Sequence, residues 1–458
     1  MALPFVSIDG RYELQLHLGD GIYAGRRQFR LGDDGPAVSG EDHGVMIKLE
    51  RCDAEKQSLE RETENICSLA GGVGVPLVER QGSQGGYRYM VHRRAGPTLE
   101  ALLGWCRAFS LKTVLLLAEQ LLRLLRFIHS RSLTLRQVRP SAFAIGAAKA
   151  GNQITLVEAA EARAIRDGDA GADLAALGYM LIYMCRRVAP WRGLEVSPIE
   201  SQYDDILQHM IATPTETLCE GLPREFIEYM EYVRRPIESD KPDYDHLCQL
   251  FRTAFTEKGF SRDGVYDWIV YKYRYNSGQD PAQPVTGITD QLGGRHISDE
   301  EFGKEFSTLV EELGQAKGLC LSLSNTEERD RKPDYWTEVT TAHSTLVQWC
   351  YDIMMFSRHP ETPDDLRRQS EDLRLHDEVW DAGIKPCLML LRAGVPQTSD
   401  YIQGFLYPTF ILLTAIAECA PQRDEKWEGY IRDLSAYGMK YDSCGPWTRV
   451  HKCWGGSV

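Results

Sequence analysis

No two of the 12 cysteines form a C-x-x-C pair, so the spacing of a zinc ribbon or a dithiol redox motif is missing. The thiols stand singly, mostly in apolar contexts such as Cys67, Cys106, Cys185, Cys350 and Cys419. That reads as buried free thiol rather than a disulfide framework or a metal site. His343, His359, His376 and His451 likewise show no H-E-x-x-H spacing, and no zinc ligand set is expected. No uninterrupted apolar run reaches the ~20 residues of a membrane span. The start of the chain lacks the basic opening and apolar centre of a secretory signal. Basic charge is also short: 52 Lys and Arg face 66 Asp and Glu, a net charge of −14. A general binder of nucleic acid or of an anionic membrane needs a basic face, so neither partner is expected. These absences leave a soluble intracellular protein, cytoplasmic or nuclear. Apolar residues are plentiful at 43%, and 458 residues leave room for two or three domains with large cores.

Residues 11–30 read as a β-hairpin. Tyr12, Leu14, Leu16 and Leu18 alternate, and Gly19-Asp20-Gly21 supplies the turn. A polar connector over 31–44 leads to V-M-I-K-L-E at 45–50, a strand that carries Lys48. A helix over 52–69 follows, with Glu60, Glu62 and Glu64. Ser110 is an N-cap for a helix whose buried face is Leu111, Val114, Leu115, Ala118, Leu121, Leu122 and Leu125. Residues 133–162 form two short apolar stretches around a turn at Gly151-Asn152.

Longer landmarks carry a resemblance. Gly71-Gly72-Val73-Gly74-Val75-Pro76, Gly96-Pro97-Thr98-Leu99-Glu100, Phe109-Ser110-Leu111-Lys112 and Ile128-His129-Ser130 come in order. Ala189-Pro190-Trp191-Arg192-Gly193-Leu194, Thr213-Pro214-Thr215-Glu216, Asp240-Lys241-Pro242-Asp243-Tyr244, Leu250-Phe251-Arg252 and Tyr266-Asp267-Trp268 continue the series. Over roughly residues 9–270 the chain resembles the casein kinase 1 family of protein kinases. The resemblance implies an α+β, bilobal protein-kinase-like fold, with a small β-rich N-lobe and a helical C-lobe. It implies ATP and Mg²⁺ as the ligands of an active member. It also implies that Lys48 sits at the phosphate-pairing position with Glu62 as its helix partner, and that Gly19 and Gly21 are the first two glycines of the phosphate loop.

The same resemblance exposes what is missing. The family's H-R-D-x-K-P-x-N loop stands here as Leu135-Arg136-Gln137-Val138-Arg139-Pro140-Ser141-Ala142, and its D-F-G turn as Glu158-Ala159-Ala160. Gln137 replaces the proton-accepting Asp, and an amide is no base near neutral pH. Ala142 removes a metal ligand. Arg139 keeps a positive charge where the family has Lys. Glu158 keeps a carboxylate at the metal position, one methylene longer than Asp, in a place where Mg²⁺ demands tight geometry. Asp173 matches the helix Asp that braces the catalytic loop. The glycine loop is shortened, and residues 158–173 leave no room for the family's substrate platform. At the hinge, His92 falls at the back of the adenine position. Arg93 and Arg94 fill that slot, suit it to an acidic ligand, or turn to solvent with their stems on apolar surface.

Residues 271–297 shift to Asn, Ser, Gly, Pro, Gln and Thr and read as a linker. An all-α bundle is expected over 298–458. Ser298-Asp299-Glu300-Glu301 caps a helix to about 313 that Gly314 stops. Further helices are expected over 337–357, 362–382, 401–419 and 425–437, and the tail from 445 has little helix potential. Trp336, Trp349, Trp380, Trp427, Trp447 and Trp454 read as core, with an exposed partner groove as the alternative. The whole points to a pseudokinase that binds protein partners through the helical region. A divergent, ATP-using serine/threonine kinase is the alternative. No cofactor is assigned outright: ATP is a candidate, and Mg²⁺ a poor one.

Overall fold

The computed structural model describes residues 5–30 without 20, 37–38, 44–146, 152–186, 207–235, 242–269 without 263, 299–327, 334–358, 362–419, 425–443 and 445–455. The 271–297 linker, Trp191 and its neighbours, Asp240-Lys241 and His359 lie outside the described residues. Among those described, no helix is long and apolar enough to cross a membrane. The chain divides into two compact units, Met1–Arg94 with His296–Val458, and Ala95–Arg295. The C-terminal helices therefore pack with the N-terminal sheet, a grouping that the sequence-based ranges 9–270 and 298–458 do not follow.

In the first unit, β1 (Ser7–Ile8), β2 (Tyr12–Gly19), β3 (Ile22–Arg27), β6 (Gly44–Arg51), β8 (Tyr87–Arg93) and β7 (Val78–Gln84) form one antiparallel sheet in that order. β4 (Phe29–Arg30) pairs with β5 (Ala37–Val38) beside it. Strand alternation sets two faces. Val45, Ile47, Leu49, Tyr89 and Val91 join Ile8 and Tyr12 in one apolar cluster. The opposite face carries Met46, Lys48, Met90 and His92, because Lys48 pairs with Met90 and Met46 with His92. Helix α1 (Ser58–Ser68) lies on that second face. It starts later than the expected 52, where Glu50 accepts from the Ser58 and Leu59 amides and so satisfies the free donors of the first turn.

In the second unit, α2 (Leu99–Cys106), α3 (Leu111–Ser130), α4 (Asp169–Arg186), α5 (Arg224–Arg234) and α6 (Tyr244–Glu257) enclose an apolar interior. Ser110 caps α3 by accepting from the Thr113 amide. Asp267 adds a second cap, accepting from the Ser110 amide at 2.5 Å. Buried Glu119 on α3 is held by Arg123, Arg252 and Arg262 and ties α3 to α6. Short antiparallel pairs complete the unit: β10 (Phe143–Ile145) with β11 (Ile154–Leu156), and β9 (Leu133–Thr134) with β12 (Arg163–Ala164).

The C-terminal helices are α7 (Asp299–Ser324), α8 (Tyr335–Arg358), α9 (Asp364–Asp372), α10 (Lys385–Ala393), α11 (Ser399–Cys419), α12 (Glu425–Tyr441) and α13 (Trp447–Trp454). Three expectations need correction. Gly314 does not stop the first helix. Buried Leu313, Ala316, Cys320 and Leu323 carry the apolar stripe past it, and that burial exceeds the ~1 kcal/mol that glycine costs a helix. The helix expected over 362–382 breaks at Arg374, which is left-handed (φ 47°), and 378–384 is π-helical. There His343 Nδ1 donates to the Gly383 carbonyl at 2.7 Å, and Pro386 brings no amide to the ladder. The tail forms α13, because Trp447 and Val450 bury a full face. Trp336, Trp380, Trp427 and Trp447 are core, while Trp349 and Trp454 are half-buried.

Candidate functional site

The candidate residues fall into two clusters, one in each compact unit. In the first, Lys48 leaves β6 on the face that α1 covers. Its Nζ lies 2.7 Å from Glu62 Oε1, with both side chains largely enclosed. Of the three glutamates on α1, only Glu62 is buried; Glu60 and Glu64 face solvent. Thr63, next in sequence, places its hydroxyl on Met90 Sδ. The helix phase that buries Leu59, Thr63 and Ile66 therefore brings Glu62 over the sheet.

His92 stands on the same face as Lys48 and is 2% exposed. Its Nδ1 donates to the Arg93 carbonyl at 2.8 Å, and its Nε2 is buried without a partner. Burial, and then the Lys48 ammonium, push the imidazole down to about 4, so it is neutral at pH 7. Arg93 pairs with Val45 and projects to the other face, and Arg94 is exposed beside Gly44. Of His92, Arg93 and Arg94, only His92 occupies the Lys48 side.

The glycine pair closes a tight β2–β3 hairpin with Gly19 opposite Ile22. Gly19 and Gly21 have φ of 115° and 73°. A Cβ on Gly21 would run into the Leu49 carbonyl, which fixes glycine there for packing alone.

In the second unit, Asp173 on α4 is 2% exposed and gathers four donors. The amides of Leu135 and Arg136 lie at 2.8 and 2.9 Å, the Thr134 hydroxyl at 2.7 Å and His129 Nε2 at 3.0 Å. Two successive amides converge on one carboxylate because Arg136 is left-handed, with φ 62°. His129 is fixed in turn, taking the Tyr244 hydroxyl on Nδ1. Beyond this brace, Gln137 is exposed and Ala142 is buried in a single 3-10 turn, Pro140–Ala142. Arg139 grips Glu158 with one nitrogen, at 2.9 and 3.0 Å from the two carboxylate oxygens. Both oxygens that a cation would need already carry an N–H. Among the described residues, no three His, Cys, Asp or Glu side chains group as a metal cage. Residues 158–169 are compact: β12 pairs with β9, and Asp169 opens α4 while holding Arg163 and the Arg166 amide.

Sequence reasoning named Lys48, Glu62, Asp173, Arg139 and Glu158 but did not foresee that the last two would bind each other. It also missed Arg27, which reads as a surface strand residue. The Arg27 guanidinium is 2% exposed and bonds Glu79 at 2.9 Å and Gln403 at 2.9 Å. Gln403 donates on to Asp442, which also accepts from Tyr407 and Trp447. No local pattern marks these partners, because they lie 373 or more positions apart from Arg27 on one side of the network.

No protein-family model matches the chain.

Proposed function

We propose that the protein is a casein-kinase-1-like pseudokinase, a binding protein on a bilobal kinase-like scaffold that does not transfer phosphate. The Arg139–Glu158 pair carries this reading. In an active member, the cation faces the transferred phosphoryl and the carboxylate holds the metal. Here the two bind each other. Gln137 offers no base, Ala142 no metal ligand, and the tight β2–β3 turn offers no phosphate cover. Losing the base alone costs about 10²–10⁴ in rate. The Asp173 brace supports retention of the scaffold: the loop geometry is kept where the chemistry is gone. Protein partners would be met through the C-terminal helices, where Leu319, Leu321 and Met389 stand exposed.

A second reading, a divergent ATP-using kinase, is favoured by one observation: Lys48 and Glu62 are paired at 2.7 Å, as an active site requires. Thermal unfolding of the full chain with ATP, with and without Mg²⁺, separates the two, since a ligand selective for the native state raises Tm by mass action. The pseudokinase reading expects any ATP-induced rise to be independent of Mg²⁺. A Mg²⁺-dependent rise that Glu158→Ala abolishes would overturn it in favour of the second reading.

A further inference from the structure

The Lys48–Glu62 pair is held from an unexpected direction. Helix α1 ends at Ser68, and residues 69–77 return the chain to β7. That loop does not lie on its own sheet alone. Ala70 and Leu77 belong to the same buried cluster as the cores of α8, α11 and α12. Trp454 Nε1, in the last turn of α13, donates to the Gly71 carbonyl at 2.9 Å. Gly71 is left-handed (φ 100°), and a Cβ there would lie 2.8 Å from Cys453 Cβ and 3.1 Å from Val450 Cα. The backbone of the loop thus touches α13 directly. The other end of α13 is anchored by Trp447, fully buried against Tyr407 and Phe410 of α11. The N-terminal end of α1 is held by Glu50, and the loop that follows its C-terminal end touches α13 at Gly71.

We infer that α13 is a positioning element for the Lys48–Glu62 pair. By clamping the loop at Gly71, it sets how far α1 lies over the sheet and keeps Glu62 within reach of Lys48. The chain carries its own clamp, and displacing α13 would open the pair. This inference does not depend on the kinase-like reading, because it concerns only how one ion pair is held.

The test is site-resolved acylation of lysines in the full chain, read by mass spectrometry. Trp454→Phe keeps the ring and removes the N–H that reaches Gly71. Glu62→Gln sets the scale for a broken pair. Lys317, paired with Glu378 at 2.7 Å in the same unit, is the internal reference. The inference expects Lys48 labelling in Trp454→Phe to rise severalfold toward the Glu62→Gln level, with Lys317 unchanged. No rise at Lys48 in Trp454→Phe overturns it, whatever Glu62→Gln does. A parallel rise at Lys317 overturns it too, since general loosening would then explain the effect.

Discussion

His92 shows how one buried side chain becomes a pH-dependent term in stability. The native imidazole is pushed from 6.5 down to about 4, while the unfolded chain keeps its ordinary value. Between those limits the unfolded state binds a proton that the native state refuses. The stability contribution is therefore complete above about 6.5 and declines as pH falls toward 4. The loss reaches about 3 kcal/mol at the acid end. Urea unfolding of the first unit's transition at pH 7 and pH 4.5 should show this fall, and His92→Leu should flatten it. An identical pH slope in the variant would rule out His92 as the source. Asp173 contributes through its hydrogen bonds, as a satisfied carboxylate whose removal leaves two amides without an acceptor. Asp173→Ala is expected to destabilise the second unit by about 3–5 kcal/mol, as breaking a buried charged network does. Unfolding free energies from denaturant titration within about 1 kcal/mol of the parent would remove its bracing role.

Among the elements, β4 and α11 are joined by shape. Phe29 stacks on Tyr401 with centroids 5.1 Å apart, and Gly404 leaves the space its ring fills. Gly404→Ala should cost about 1–3 kcal/mol by overpacking. Phe29→Leu in the same chain should recover part of that loss. An additive double variant would show that the two do not share the space. These contacts mark the limit of what the sequence makes legible. The β2–β3 hairpin, the α3 cap at Ser110 and the Glu62 face of α1 are written in local periodicity and capping chemistry, so they can be read directly. The end of α7 and the course of α13 are decided by tertiary burial: Leu313 to Leu323 override Gly314, and Trp447 makes a helix of a segment with weak propensity. The Arg139–Glu158 pair lies between these cases. Both residues were identifiable as oddities, but their contact needs the loop folded by Asp173.

At the scale of the molecule, the C-terminal helices do not read as a detachable module. Arg27 buries its guanidinium between Glu79 and Gln403, and Arg11 reaches Asp400 at 3.3 Å. Phe29, Ala70 and Leu77 complete a core that is otherwise C-terminal. A chain ending at residue 270 would leave the Arg27 charge without its α11 partners and expose Phe29 and Leu77. We expect that fragment, and residues 298–458 alone, to be protease-sensitive and to lack a cooperative unfolding transition, while the full chain resists digestion. A well-folded 298–458 fragment would contradict the shared core. The kinase-like reading also concerns the whole chain, because it joins a retained scaffold to a lost reaction. Its most direct test is transfer of labelled phosphate from ATP by the purified full chain with Mg²⁺ or Mn²⁺, to itself and to an acidic protein substrate, beside Lys48→Ala. The account predicts background incorporation, equal in the two proteins. Incorporation by the parent chain that disappears in Lys48→Ala would contradict it.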